Sequence, residues 1–199
     1  MSETTQQARE SRAVMRSARY AAPQPITAIV SVAGARVHIA ASDRTDTVVQ
    51  VEPVNQASRT DMKVAARTKV DFTGGQLTVK TTTSGKKHGS VAITIDLPNG
   101  SNLVAYLAHS SVHADGSLAD CELHVASDRV RLDRVGTLQA NVGAGEVAVG
   151  HVAGPAKIES RSGQINIEHA SADLELSNGS GAFDIERVDG NVTVMTGSG

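Results

Sequence analysis

The sequence predicts an all-β protein wound as a β-solenoid, and three observations carry that prediction. Every eighteenth residue over 137–199 brings back a small residue followed by glycine: Ala144-Gly145, Ser162-Gly163, Ser180-Gly181 and Ser198-Gly199. Each complete pair is followed by an alternating apolar couple, Val147/Val149, Ile165/Ile167 and then Phe183/Ile185. Each pair is also preceded by one, Leu138/Ala140, Ala156/Ile158, Leu174/Leu176 and Val192/Val194. Alternation with a period of two is the signature of a strand, and small-residue-glycine pairs are turn chemistry. Two short strands per eighteen residues, repeated, describe coils stacked on one another.

Taken in order, the chain opens with a polar leader over 1–22, read as disordered because it has too little apolar surface to pack. Within it Arg9, Arg12, Arg16 and Arg19 fall at helical spacing, so a transient helix would carry one basic stripe able to dock on an acidic partner. A β-rich cap is expected over 23–101. Val30/Val32, a Gly34-Ala35 turn and Val37/Ile39 give the first strands, and Val49/Val51 after the Asp43–Asp46 turn cluster gives another, ended by Pro53. Ser58 to Thr68 reads as one short helix, with Ser58 or Thr60 as N-cap and Met62, Ala65 and Ala66 as its apolar side. Val70/Phe72 and Leu77/Val79 flank Thr73-Gly74-Gly75 as a hairpin. A polar loop with Lys86-Lys87-His88 leads to a strand at Val91/Ile93/Ile95, closed by Leu97-Pro98-Asn99-Gly100.

Repeats are expected from 102 to 199. Leu103/Ala105/Leu107 with Val112/Ala114, and Cys121/Leu123/Val125 with Val130/Leu132, form lead-in coils whose corners are Ser110-Ser111 and Ser127-Asp128 in place of a glycine pair. Regular coils follow over 137–154, 155–172 and 173–190, and 191–199 is half a coil.

Two stretches, Ala41-Ser42-Asp43-Arg44-Thr45-Asp46-Thr47-Val48-Val49 and Asp96-Leu97-Pro98-Asn99-Gly100-Ser101, together with the recurring Ser/Ala-Gly corner, resemble the bacterial putative-adhesin family of β-strand repeats, a domain of unknown function. The resemblance spans about Ile26 to Gly199. It implies a strand-rich cap running into a solenoid, and it supplies no catalytic residue. It also implies further coils and a closing cap, whereas this chain stops at Gly199 on the corner pair of an unfinished coil, as a C-terminally shortened member would.

Composition narrows the function. A net charge of -2 exerts no general pull on nucleic acid or anionic lipid. Tyr20, Phe72, Tyr106 and Phe183 are all the aromatic residues there are, too few for a base- or sugar-stacking surface. Cys121, the single cysteine, can form no internal disulfide and sits in an alternating run as a small core filler. The first twenty residues lack the apolar segment of a secretory signal, and no run approaches the roughly 20 apolar residues of a membrane span, so the expected compartment is the cytoplasm.

Stacking would place Arg134, His151, His169 and Arg187 in one column, beside Asp133, Gly150, Glu168 and Glu186. The pair of columns reads as a solvated edge with cross-coil ion pairs, or as an anion-binding ladder. Zinc there would need a third ligand between two arginines. His109 and His113 have the four-residue spacing that brings ligands together on a helix, a spacing without that meaning in strands. Lyases and hydrolases built on β-helices need an acid-base pair in a groove walled by long loops, and coils of eighteen residues leave no room for one. No catalytic, cofactor or metal motif is expected. The reading is therefore a non-enzymatic scaffold or protein-interaction protein that works through its β-faces or an open end at Val192/Val194, with a homo-oligomer through that edge as the expected contact. The alternative is a module binding an acidic partner or cell-envelope component through the arginine arm and the Arg/His ladder.

Overall fold

Alternation does dominate the structure. A computed structural model describes residues 16–81 and 89–197, and among these residues the protein is all-β with a single helix. The strands are β1 (Arg16–Ala21), β2 (Thr27–Ala33), β3 (Ala35–Ser42), β4 (Asp46–Pro53), β5 (Lys69–Thr73), β6 (Gln76–Lys80), β7 (Val91–Pro98), β8 (Ser101–Ala108) and β9 (Ser111–Val152). They continue as β10 (Ala156–Ser160), β11 (Gln164–Ala170), β12 (Leu174–Asn178), β13 (Ala182–Val188) and β14 (Val192–Thr196), and the helix, α1, spans Arg59–Arg67. All fourteen strands belong to one hydrogen-bonded sheet, whose main path runs β1-β4-β7-β3-β9-β8-β2-β6-β5.

The offset of eighteen residues is the offset of the pairing. β10 lies parallel between β9 and β12 with Ile158 facing Ala140 and Leu176, and β12 pairs β14 with Leu176 facing Val194. On the other side β11 lies parallel between β9 and β13, with Ile165 facing Val147 and Phe183. Alternation turns one set of side chains inward: Leu138, Ala140, Val147, Val149, Ile158, Ile165, Ile167 and Leu176 are all buried. One hydrophobic cluster runs from Ala22 to Leu176 and crosses the boundary expected between 101 and 102 without interruption.

The chain differs from expectation over 111–152. Five successive strands and their corners are expected there, and the structure has the single strand β9. Forty-two residues of straight strand would reach ~140 Å at the usual rise. Instead β9 pairs in turn with β3 at its start, β8 at Leu118–Val125, β10 at Leu138–Val142 and β11 at Glu146–Val152. It therefore bends repeatedly while keeping extended, hydrogen-bonded backbone.

Buried polar side chains settle the backbone groups left over at the bends. Ser110 Oγ accepts from the Ala35 N–H at 3.2 Å, and Asp128 Oδ1 accepts from the Ser110 N–H. Ser160 Oγ accepts from the Gly163 N–H at 2.9 Å, and Asn178 Oδ1 from the Gly181 N–H at 2.8 Å. All four residues are buried, where an unpaired amide would be costly. The recurring glycine has a steric cause: a Cβ at Gly181 would overlap the carbonyl oxygen of Gly163 in the neighbouring corner.

The N-terminal half closes the sheet with antiparallel strands. β4 pairs β7, β1 pairs β4, and the β5-β6 hairpin turns through Gly74 and Gly75, both at positive φ as a tight two-residue hairpin turn requires. The leader expected through residue 22 thus gives way at Arg16 to a strand, held by pairing with β4 and by Tyr20 stacking on Phe72 at 4.9 Å. The two stretches that carry the family resemblance meet here: Asn99 Nδ2 donates to Asp43 Oδ1 at 2.9 Å, and Arg44 reaches Asp96 at 3.2 Å.

Helix α1 has Ser58 as N-cap and Thr68 as C-cap. Its buried residues are Asp61, Val64 and Ala65, so the expected Met62/Ala65/Ala66 side is rotated: Ala66 is exposed and Met62 only half-buried. Asp61 causes the rotation, because its carboxylate accepts from the Asn55 and Ser90 N–H groups, each at 3.0 Å, and from Ser58 Oγ at 3.1 Å. The Lys86-Lys87-His88 loop falls outside the described residues.

Candidate functional site

Strand β14 ends the described sheet. Val192 and Val194 lie in register with Leu174 and Leu176, yet they are 45% and 51% exposed where those leucines are 1% and 0%. Met195 is 52% exposed, and Phe183, Ile185 and Val188 on β13 are only partly buried against the core. Among the described residues no strand pairs the far side of β14, so one row of N–H and C=O groups and a strip of apolar side chains face outward together. A surface of this kind is a template for another strand. Covering it would return about 1 kcal/mol for each valine, because roughly half of each is already covered.

The predicted basic column assembles in part. His169 is the register partner of both His151 and Arg187, and the two imidazoles stack with centroids 4.7 Å apart and planes within 12°. The group is already satisfied within the chain. His169 Nε2 lies 2.7 Å from Asp189 Oδ2, Arg187 Nε donates to Asp189 Oδ1 at 3.0 Å, and His151 Nε2 lies 2.8 Å from Ser171 Oγ. The hydrogen bond from His169, then that from Arg187, hold the Asp189 carboxyl below the usual range. Arg134, expected as the first rung, reaches its own neighbour Asp133 at 3.9 Å. Asp189 was missed in the sequence, although it lies only two residues after Arg187, just past the end of β13.

The arginine arm is also engaged where it is described. Arg16 Nη1 donates to the carbonyls of Thr68 at 2.8 Å and Ala66 at 3.4 Å, at the negative end of α1. Arg19 lies 3.3 Å from Asp46, which also takes Arg44 at 2.8 Å. Chiefly the hydrogen bond from Arg44 keeps the Asp46 carboxyl low. The helical stripe predicted through these residues is replaced by a strand at Arg16 and Arg19, and Arg9 and Arg12 lie outside the described residues.

A cluster that sequence reasoning passed over sits on the outer face of β3 and β9. These strands run parallel with His38 facing His113 and Ala40 facing Asp115. The two Nε2 atoms each lie 2.8 Å from a different oxygen of Asp115. Both contacts hold that carboxyl below its ordinary range, His38 contributing most. His38 and Asp115 are 77 residues apart, so no local spacing could have paired them. His109, once weighed with His113, is instead a corner residue at φ 51 whose Nδ1 meets Ser127 Oγ at 2.9 Å.

Tyr106 is stacked on His124 at 4.7 Å, and a separate shallow groove of about 630 Å³ runs past Asp120, Thr137, Asp173 and Asn191. Its polar residues satisfy one another: Thr137 Oγ1 donates to Asp120 Oδ1 at 2.6 Å, and the Asn191 N–H to Asp173 Oδ1 at 2.8 Å. Cys121 is buried, and loss of solvation pushes its thiol up to about 12, which removes it as a nucleophile or metal ligand near neutrality.

Together these features define an all-β protein whose candidate contact surfaces are an apolar sheet edge and polar strand faces. Neither a protein-family model nor a curated protein matches the chain. Solved structures similar to it include a putative adhesin from Bacteroides fragilis, 13% identical over 92% of this chain and 96% of that one, with a TM-score of 0.46. A putative cell adhesion protein from Clostridium sporogenes is 10% identical over 92% and 99%, with a TM-score of 0.41. A putative lipid binding protein from Parabacteroides distasonis is 10% identical over 92% and 96%, with a TM-score of 0.37. No helix among the described residues is long and apolar enough to cross a membrane.

Proposed function

We propose that the chain is a non-enzymatic scaffold or protein-interaction protein, wound as a two-strand-per-coil β-solenoid, that self-associates through the edge at β14. The observation that carries this reading is the exposure of Val192 and Val194 directly over the buried Leu174 and Leu176. Another β-strand laid on that edge would extend the parallel ladder and cover the apolar strip in one step, which is strand addition. The short connections at 161–163 and 171–173 support a non-catalytic role, because they are too short to wall a substrate cleft. The acidic-partner alternative is weaker, since Arg16, Arg19 and Arg187 already serve carbonyls or carboxylates of the chain itself.

Light scattering on a sizing column, run over a concentration series, tests the proposal. The parent protein should gain mass with concentration, and a Val192→Lys/Val194→Lys variant should remain monomeric. If both stay monomeric, the edge is inert and self-association through it is refuted.

A further inference from the structure

We propose that His38, His113 and Asp115 form a binding site for a first-row transition-metal dication, with zinc as the natural probe. The ligand set comes from backbone register. His113 and Asp115 are two apart on β9 and so share a face, and parallel pairing brings His38 of β3 beside His113. One ligand atom from each residue lies within 4.8 Å of the other two. Zinc takes imidazole nitrogen at about 2.0–2.1 Å and carboxylate oxygen at about 2.0–2.2 Å. The three atoms therefore need only side-chain rotation to close on one ion, while hydrogen-bonded backbone holds their Cα positions. Two neutral imidazoles and a carboxylate suit zinc, cobalt(II) or nickel(II) far better than magnesium or calcium, which prefer all-oxygen shells.

The surroundings admit a cation and leave it accessible. All three side chains are about half exposed, so water can fill the remaining coordination positions. The groove running on from His113 and Asp115 also holds Asp133, Glu168 and Arg131, three carboxylates against one guanidinium when Asp115 is counted. On the other side Arg36 and Arg129 approach, and Arg129 is drawn off by Glu146 at 3.3 Å. The second histidine pair lacks this convergence: the Nε2 atoms of His151 and His169 go to different partners, Ser171 and Asp189.

The test is titration of the full chain, stripped with chelator, with Zn²⁺ by calorimetry and with Co²⁺ by visible absorption. One equivalent should bind, and Co²⁺ should show the d–d bands of a four- or five-coordinate nitrogen and oxygen site. His38→Ala, His113→Ala and Asp115→Asn should each weaken binding about tenfold or more, while His151→Ala leaves it unchanged. Circular dichroism reports whether each variant folds. Should His113→Ala fail to fold, His38→Ala decides the matter, because it leaves β9 intact. Absence of saturable uptake, or uptake that survives the cluster substitutions or vanishes with His151→Ala, overturns the proposal.

Discussion

Val194 lies in direct parallel register over Leu176, and the two differ in exposure by half a side chain, 51% against 0%. The same alternation generates both residues, and only the presence of a neighbouring layer separates them. Substitution should expose the difference. Leu176→Ala should cost about 2–5 kcal/mol of folding stability through the cavity it leaves. Val194→Lys should shift it by no more than about 0.5 kcal/mol in the monomer. Urea denaturation at low protein concentration checks both.

Asp61 is expected to behave as a structural staple. Its carboxylate settles the N–H groups of Asn55 and Ser90 as well as the Ser58 hydroxyl at the start of α1. Asp61→Ala leaves those donors unpaired in a mostly buried setting, so a loss of about 1–3 kcal/mol is expected in denaturant unfolding. A loss confined to α1 would appear as hydrogen exchange at Arg59–Arg67 without a change in the global midpoint.

Cys121 should be silent in the folded protein. With its thiol buried and pushed up to about 12, it should resist a disulfide reagent at neutral pH under native conditions and react promptly in denaturant. Fast labelling of the native protein would mean that the β8–β9 region opens locally.

The Arg19–Asp46–Arg44 group should contribute to acid sensitivity. The folded Asp46 carboxyl is held below its unfolded value, first by the hydrogen bond from Arg44. Its contribution is therefore fully present above the unfolded value, near pH 4, and is lost as pH falls through the lower folded value. Asp46→Asn should flatten the decline of stability below about pH 4 and leave the slope near neutrality unchanged. Thermal melts from pH 2 to 7 measure it. An unchanged acid limb would show that the pairing is screened by water.

Much of this molecule was legible because its rules are local. The period of two marked Val37/Ile39, Val49/Val51 and Ile165/Ile167 as inward-facing, and all are buried. Ser58 and Thr68 delimited the helix because capping depends on side chains within a turn of the ends. Local signals misled where a distant partner decided the outcome. Arg16 and Arg19 have helical spacing, yet pairing with β4 draws them into a strand. The apolar side of α1 turned toward Val64 because Asp61 bonds to Ser90, 29 residues away.

Local pattern is enough to specify the strand-forming alternation, the recurrence of the corner and the residues able to line a core. Which strands became neighbours, and with that which polar side chains met, depended on long-range packing. His38 reaches Asp115 across 77 residues because β3 pairs with β9 in a register placing Val37 opposite Val112 and Ile39 opposite Ala114. Burial of those apolar residues sets the register, since a slip of one would turn them into water. The polar residues between them are carried into contact as a consequence.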